Sequence, residues 1–457
     1  MTLLKNLRLT TALSIAGLAL ISGCSTSSSP QATSPSPENE VTNSSATTTE
    51  NLTKVEMPVN KYTFSILPPE NPDPVINAEI AQYIKMLVAK GFAKETQQGV
   101  WIQSGNTLLA NYRGTIPLPA ASVTKVATSL VALQTFGPDR QFVTLIAATG
   151  PIKDGVLQGD LVVQGGEDPL FVWEEAIALG NTLNKIGINR VTGDLIIAGK
   201  FYMNFKTNPQ TAGNLLKLGL NSKNWSKEAE KQYLTLPPGT PRPQVEISGS
   251  IKVTPSTPSN IQPLVRHYSF PLAELIKRMN RFSNNHMAEM LANSVGGAKV
   301  VARKAAEIAG VAPEEVQLVN GSGLSPENRI SPRAACAMFM AIERYLQPYN
   351  MTIGDVFAII GQDEGTLDKR NLPPLLVVKS GTLDNVSSLA GALPTQKQGS
   401  VWFAIMNVGK DTDEFRTQQE DLLKTFLSQW GTVESLPAEL KPNIERNSKT
   451  SQMEVVK

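Results

Sequence analysis

The chain has 457 residues, 41% of them hydrophobic and 18% charged, the profile of a globular protein with room for more than one core. Its 42 basic and 40 acidic residues leave a formal charge of +2, too little to draw the chain to phosphate backbones, which excludes a general nucleic-acid binder. Two histidines (His267, His286) and two cysteines (Cys24, Cys336) lie far apart, so they form no clustered metal-ligand set, and no metal or cofactor is expected.

Lys5 and Arg8 precede an apolar run, Leu9 to Ile21, that is too short to span a bilayer and fits a secretory signal. Ile21-Ser22-Gly23-Cys24 resembles a bacterial lipobox. Residues 1–23 are therefore read as a lipoprotein signal peptide and Cys24 as the acylated N-terminus; the alternative is an ordinary signal peptide that contains a cysteine. Residues 24–54, rich in Ser, Thr, Pro and Asn, cannot bury enough surface to offset ordering entropy and read as a tether. Such a chain would be exported and held on a bacterial envelope membrane.

A helix is predicted from Asn77 to near Gly91, with Ile80, Ile84, Leu87 and Val88 at helical spacing. Gly99 to Tyr112 reads as a hairpin around Ser104-Gly105-Asn106. Pro119-Ala-Ala-Ser122-Val-Thr-Lys125 then leads into a helix with Val123, Val126, Leu130 and Leu133 on one stripe, stopped by Gly137-Pro138. Between 140 and 260 the pattern changes. Gly159 to Val163 and Gly193 to Ile197 echo each other as strands, a helix carries Leu179, Leu183 and Ile186, and Val245 to Val253 reads as another hairpin. This stretch is taken as a β-rich insert in a body formed by 55–139 and 261–434, and the polar part of it from 205 to 240 gives no clear pattern. Ser331-Pro332 starts a later helix, Leu375–Lys379 and Val401–Val408 are strands, and Phe415, Leu422, Phe426 and Trp430 line a closing helix. Cys336, in an apolar run, reads as a buried core residue without a disulfide partner. Residues 435–457 are expected to form a flexible tail.

Three short motifs carry chemistry. Ser122 and Lys125 are one helical turn apart, which lets an amine act as base for a hydroxyl with no histidine. Alone the pair means little, since about two S-x-x-K matches are expected by chance. An S-x-N element occurs at Ser104-Gly-Asn106, Ser222-Lys-Asn224 and Ser283-Asn-Asn285; the last opens a helical segment and offers the most rigid mount. Lys379-Ser380-Gly381-Thr382 ends a buried strand, where lysine and hydroxyl can hold a carboxylate and glycine lets a substrate backbone approach.

Order and spacing of the three resemble the penicillin-binding protein and serine β-lactamase superfamily. The likeness is greatest to the class C low-molecular-mass penicillin-binding proteins, D-alanyl-D-alanine carboxypeptidase/endopeptidases. It extends over Gly165-Gly-Glu-Asp168-Pro169, Phe282 to Glu289, Gly321-Ser-Gly-Leu-Ser325 and Ser387 to Gly391, and the long interval between Ser122 and Ser283 resembles that branch's insert. Asn320 stands where Asp is usual, Ser380 where Thr is commoner, and the insert is shorter. The resemblance implies an α+β fold: a transpeptidase-like antiparallel sheet flanked by helices, with a helical lobe. It implies that Ser122 attacks the penultimate D-alanine carbonyl, Lys125 takes its proton, Ser283 relays a proton to the leaving amine, and Asn285 orders substrate and lysine. Lys379, Ser380, Gly381 and Thr382 would form the carboxylate and oxyanion side, with Asp168 reaching in from the insert and Arg329 as a further pocket residue. Read on their own, Asp168 is equally a turn residue before Pro169, and Arg329 a surface arginine. Peptidoglycan stem peptides are the implied substrate and β-lactams covalent inhibitors. A serine β-lactamase or esterase, and a non-catalytic peptidoglycan-binding lipoprotein of the same fold, are the alternatives.

Overall fold

The computed structural model describes residues 74–446 and 449–456. The leader, Cys24 and the tether lie outside these residues.

A six-stranded antiparallel sheet is assembled from both ends of the chain, in the order Ala358–Ile359, Val377–Leu383, Val386–Thr395, Gly399–Gly409, Ala93–Ser104, Thr107–Tyr112. Strand Gly399–Gly409 shows why both faces are covered. Its Val401, Phe403 and Ile405 pack in one apolar cluster with Ile80, Leu87, Phe415 and Phe426 of helices Pro74–Ala89 and Thr412–Trp430. Its Trp402, Ala404 and Met406 point the other way, into the core of the helical lobe. That period of two, with both sets apolar, is what a sheet sandwiched between helices requires.

The helical lobe comprises Thr124–Phe136, Leu272–Arg281, Asn285–Ser294, Ala298–Ala309 and Pro332–Leu346, which share one core. Its starts follow local chemistry. Ser331 Oγ accepts from Ala334 N at 3.0 Å with proline at the first turn. Asn284 caps the next motif helix by accepting from Met287 N at 3.0 Å. Cys336 is fully buried in this core, and burial pushes its thiol well above the ordinary range.

The insert is less β-rich than expected. The two echoing segments are parallel neighbours, with Leu161 opposite Leu195 and Val163 opposite Ile197, joined through helix Trp173–Lys185. Parallel pairing needs such a crossover. The expected hairpin at Val245–Val253 does not form. Glu246–Ile247 pairs in parallel with Arg190–Val191 in a four-stranded sheet, and Ile251–Thr254 pairs in parallel with Leu195–Ala198 in a six-stranded one. Local alternation reported strand character there, but the hydrogen-bond partners come from an earlier segment. The opaque 205–240 stretch holds helices Pro209–Gly219 and Lys227–Tyr233, whose Ala212, Leu216 and Ala229 join the insert core.

Two boundaries also move. Strand Gln262–Tyr268, expected with the main body, pairs with Val143–Ala148 in the insert's larger sheet. The tail beyond 435 is not loose throughout: Leu440 is buried and Gln452–Val455 adds to Gln262–Tyr268 as an edge strand. Ser451 Oγ donates to Glu175 at 2.7 Å beside it. An edge strand is held by main-chain hydrogen bonds, so its polar side chains disguised it.

Candidate active site

Ser122 sits in a single helical turn, Ala121–Val123, that feeds helix Thr124–Phe136. Ten consecutive residues of that helix, Thr124 to Leu133, are buried, so the nucleophile's mount is packed on every side. Ala121 is held at φ +46°, a left-handed conformation that an L-residue adopts only under constraint. The constraint comes from the preceding residue, which is held at both its polar groups: Ser388 Oγ donates to Ala120 O at 2.6 Å, and Ala120 N donates to Asn328 O at 2.9 Å.

One turn on, Lys125 is fully buried, and its Nζ lies 2.8 Å from Ser122 Oγ, 2.7 Å from Asn285 Oδ1 and 2.7 Å from the Ser322 carbonyl. An ammonium satisfies all three oxygens by donating. A neutral amine donates to Asn285 and Ser322 and turns its lone pair on the Ser122 hydroxyl. Burial, then the charge of Lys379, hold this lysine well below its ordinary value, with Glu289 pulling the other way. The neutral form is thus accessible without a histidine.

Ser283 occupies the joint between helices Leu272–Arg281 and Asn285–Ser294 at φ +50°. Its Oγ accepts from Lys379 Nζ at 3.1 Å, and Lys379 also donates to its neighbour's carbonyl, Ser380 O, at 2.6 Å. Lys379 is fully buried, which lowers its pKa to about 7. Gly381 faces the nucleophile at close range: a Cβ there would lie 2.7 Å from Ser122 N and 2.4 Å from Ser388 Oγ. Only glycine lets the strand lie this near. Ser122, Ser283, Ser380, Thr382 and Arg416 line one cleft of about 540 Å³.

Four contributors had no role assigned from the sequence, although Glu289, Ser322 and Ser388 fall in segments that carry the resemblance. The Ser322 carbonyl and Ser388 act from loops and strands whose partners are remote in sequence. Glu289 accepts from Gly321 N at 3.0 Å and Ser322 N at 2.9 Å, and so fixes the carbonyl that meets Lys125. Its place four residues after Asn285, on the same helix, was the available signal. Arg416 donates to Thr382 Oγ1 at 3.0 Å and pairs with Asp413 at 2.7 Å; nothing in the closing helix marks it out. Asn320, in place of Asp, still supplies the turn's acceptor, taking Gly323 N at 2.8 Å.

Two expected pocket residues lie elsewhere. Asp168 is buried in the insert, where it accepts from Leu170 N at 2.8 Å and meets His267 Nε2 at 3.1 Å. Glu167, at φ +67°, turns the chain so that it, not Asp168, faces the lobe, pairing with Lys200 and accepting from Ser294 Oγ. Arg329 lies on a short strand against Pro119 and donates to Pro117 O at 2.9 Å, outside the cleft lining. Of the three S-x-N elements, the one at Ser283 meets the lysines. Ser104 instead donates to Gln398 O, in the turn before strand Gly399–Gly409, and Ser222–Asn224 forms a single turn of the insert.

The model of the D-Ala-D-Ala carboxypeptidase 3 (S13) family matches residues 80–210 and 242–429. The D-alanyl-D-alanine carboxypeptidase DacB of Haemophilus influenzae is 21% identical over 411 residues, 68% of this chain and 85% of that protein. Among solved structures, the predatory peptidoglycan endopeptidase Bd3459 of Bdellovibrio bacteriovorus aligns with TM-score 0.62 at 18% identity, covering 74% of this chain and 94% of its own. A penicillin G acylated form of Bd3459 aligns with TM-score 0.63 at 19% identity, over 74% and 94%. Penicillin-binding protein 4 of Haemophilus influenzae gives 0.57 at 19%, over 77% and 99%. With S-x-x-K, S-x-N and K-S-G gathered on one cleft and the family model spanning both halves of the catalytic body, the chain belongs to the D-Ala-D-Ala carboxypeptidase 3 (S13) family and is a serine-type D-Ala-D-Ala carboxypeptidase.

Proposed function

We propose that the chain hydrolyses the D-Ala-D-Ala bond of peptidoglycan stem peptides, and the corresponding cross-link, through an acyl-enzyme on Ser122. The observation that carries this reading is Lys125: a buried amine with no carboxylate at ion-pair distance among the described residues, 2.8 Å from the hydroxyl it would deprotonate.

Lys125 takes the Ser122 proton as Oγ bonds to the penultimate D-alanine carbonyl carbon. The resulting oxyanion is held by backbone N–H groups of Ser122 and Thr382, each such donor worth about 10²–10³ in rate. Collapse breaks the amide bond, and Ser283 passes a proton to the departing amine from the lysine network. Water then attacks the ester, with Lys125 as base again. Asn285 both orders Lys125 and receives the substrate backbone. The leaving residue's carboxylate lies against Ser380 and Thr382, with Lys379 and Arg416 as its counter-charges. β-Lactams would acylate the same serine and stay bound when water cannot reach the ester. Cys24 is proposed to carry a lipid that holds the exported enzyme at the envelope.

Four outcomes check this reading. A fluorescent penicillin should label the intact chain and leave Ser122→Ala unlabelled; rapid release of hydrolysed drug would instead indicate a β-lactamase, and a folded protein that takes no label would indicate a binding scaffold. Gly381→Ala, by pushing the strand off the nucleophile, should slow acylation about 100-fold, read as labelling rate. For a peptide ending in D-Ala-D-Ala, kcat/KM should rise with pH as Lys125 loses its proton. A separate basic limb should appear near pH 7, where Lys379 loses the charge that attracts the carboxylate. Lys379→Arg, charged throughout, should carry that basic limb upward, and an unmoved limb would assign it to another group. In cells fed a labelled fatty acid, Cys24→Ala should abolish incorporation into the protein; undiminished label would remove the anchor.

A further inference from the structure

We propose a glycan subsite in the pocket between the insert segment Gly199–Pro209 and the helix Asn285–Ser294, taking an N-acetylhexosamine of the strand that bears the stem peptide. The inference rests on the peptidoglycan reading above. The pocket, of about 460 Å³, shares a helix with the catalytic centre: Asn285 faces Lys125, while His286, Glu289, Met290 and Asn293 line the pocket at helical spacing.

The insert presents its side of the pocket at a conformational cost. Met203 and Lys206 exchange both backbone hydrogen bonds, at 3.2 and 2.9 Å, closing a two-residue turn. Its central residues, Asn204 and Phe205, have φ of +47° and +63°. Glycine is the usual second residue of such a turn, and a phenylalanine there is strained. Strain of this kind collects where a side chain is needed for binding. Asn204 is pinned on both sides, donating its N–H to Phe171 O at 3.0 Å and accepting from Trp173 N at 3.1 Å. The consequence is that the Phe205 ring lies nearly parallel to His286, 18° between planes and 6.0 Å between centroids.

The chemistry of the lining selects the ligand. Its charges are already engaged: Lys200 pairs with Glu167 at 2.7 Å, and Glu289 holds the Gly321 and Ser322 amides. The side-chain polar groups of Tyr202, Thr207, His286 and Asn293 make no hydrogen bond within the described residues, so neutral donors and acceptors remain beside aromatic faces. An N-acetylated sugar matches that set, with hydroxyls and an amide on its rim and an apolar C–H face. Reach agrees as well. From Asn285 to Asn293 the helix rises about 12 Å. Four extended residues, the length of stem between the scissile carbonyl and the sugar, span about 13 Å.

The test compares two substrates with the same peptide, one free and one carrying its N-acetylglucosaminyl-N-acetylmuramic acid disaccharide. The parent chain should show a lower KM for the disaccharide form. Phe205→Gly and His286→Ala should each raise that KM about 3–10-fold, the scale of one lost aromatic contact, while leaving the free peptide and penicillin labelling unchanged. Equal KM values in the parent, or variants that lose both substrates alike, would overturn the subsite. A β-1,4-linked N-acetylglucosamine trimer titrated calorimetrically into Ser122→Ala protein makes the answer independent of turnover. Binding weakened by either pocket variant supports the subsite even if the acyl-enzyme reading fails, and no heat from a folded protein sinks it.

Discussion

Two lysines buried within reach of each other, neither with a carboxylate at ion-pair distance among the described residues, set the terms for the rest of this cleft. An ammonium in the interior is costly, so burial lowers both lysines, and the charge of Lys379 lowers Lys125 further. A direct ion pair would have been the cheaper arrangement and the wrong one, because a paired Lys125 would stay protonated and could not serve as base. The structure instead surrounds the amines with neutral oxygens: Asn285, the Ser322 carbonyl and Ser122 around one, Ser283 and the Ser380 carbonyl around the other. Glu289 stands one step back. Its two oxygens are spent on backbone amides, so it tempers the positive field without neutralising it.

Holding that arrangement requires a rigid frame and some local strain. The nucleophile's helix is enclosed on all sides, and the strand Val377–Leu383 approaches it at a glycine. Ala121 and Ser283 both sit at positive φ, at the two points where the chain must aim a catalytic segment inward. Glu167 and Phe205 repeat the pattern in the insert, where each turns a side chain toward the lobe. These four left-handed residues each aim a side chain or segment toward the catalytic cleft or the lobe beside it.

The insert's own stability comes from a different source. Its parallel strands depend on crossovers through helices, and the sheet is completed by Gln262–Tyr268 and by Gln452–Val455 from the far end of the chain. Inside it Asp168, His267 and Glu175 form a buried polar cluster, which is why the acidic residue of the Gly-Gly-Glu-Asp-Pro stretch is not free to reach a substrate.

Much of this was legible in one dimension. Helical spacing at Ile80, Ile84 and Leu87, the Ser331-Pro332 start and the alternation from Val401 to Val408 are local consequences of backbone geometry, and each lies where the pattern put it. The three motifs were readable because their chemistry is compact: a serine and a lysine one turn apart can do nothing unless a helix brings them together. What tertiary structure alone decided is pairing across distance. Whether Ile251 joins the strand before it or one far earlier, whether Asp168 meets a ligand or His267, and that Arg416 lands on Thr382 all depend on contacts between segments separated by dozens of residues. A side chain's type limits the partners it will accept, and only the packing of the whole chain determines which of them it meets.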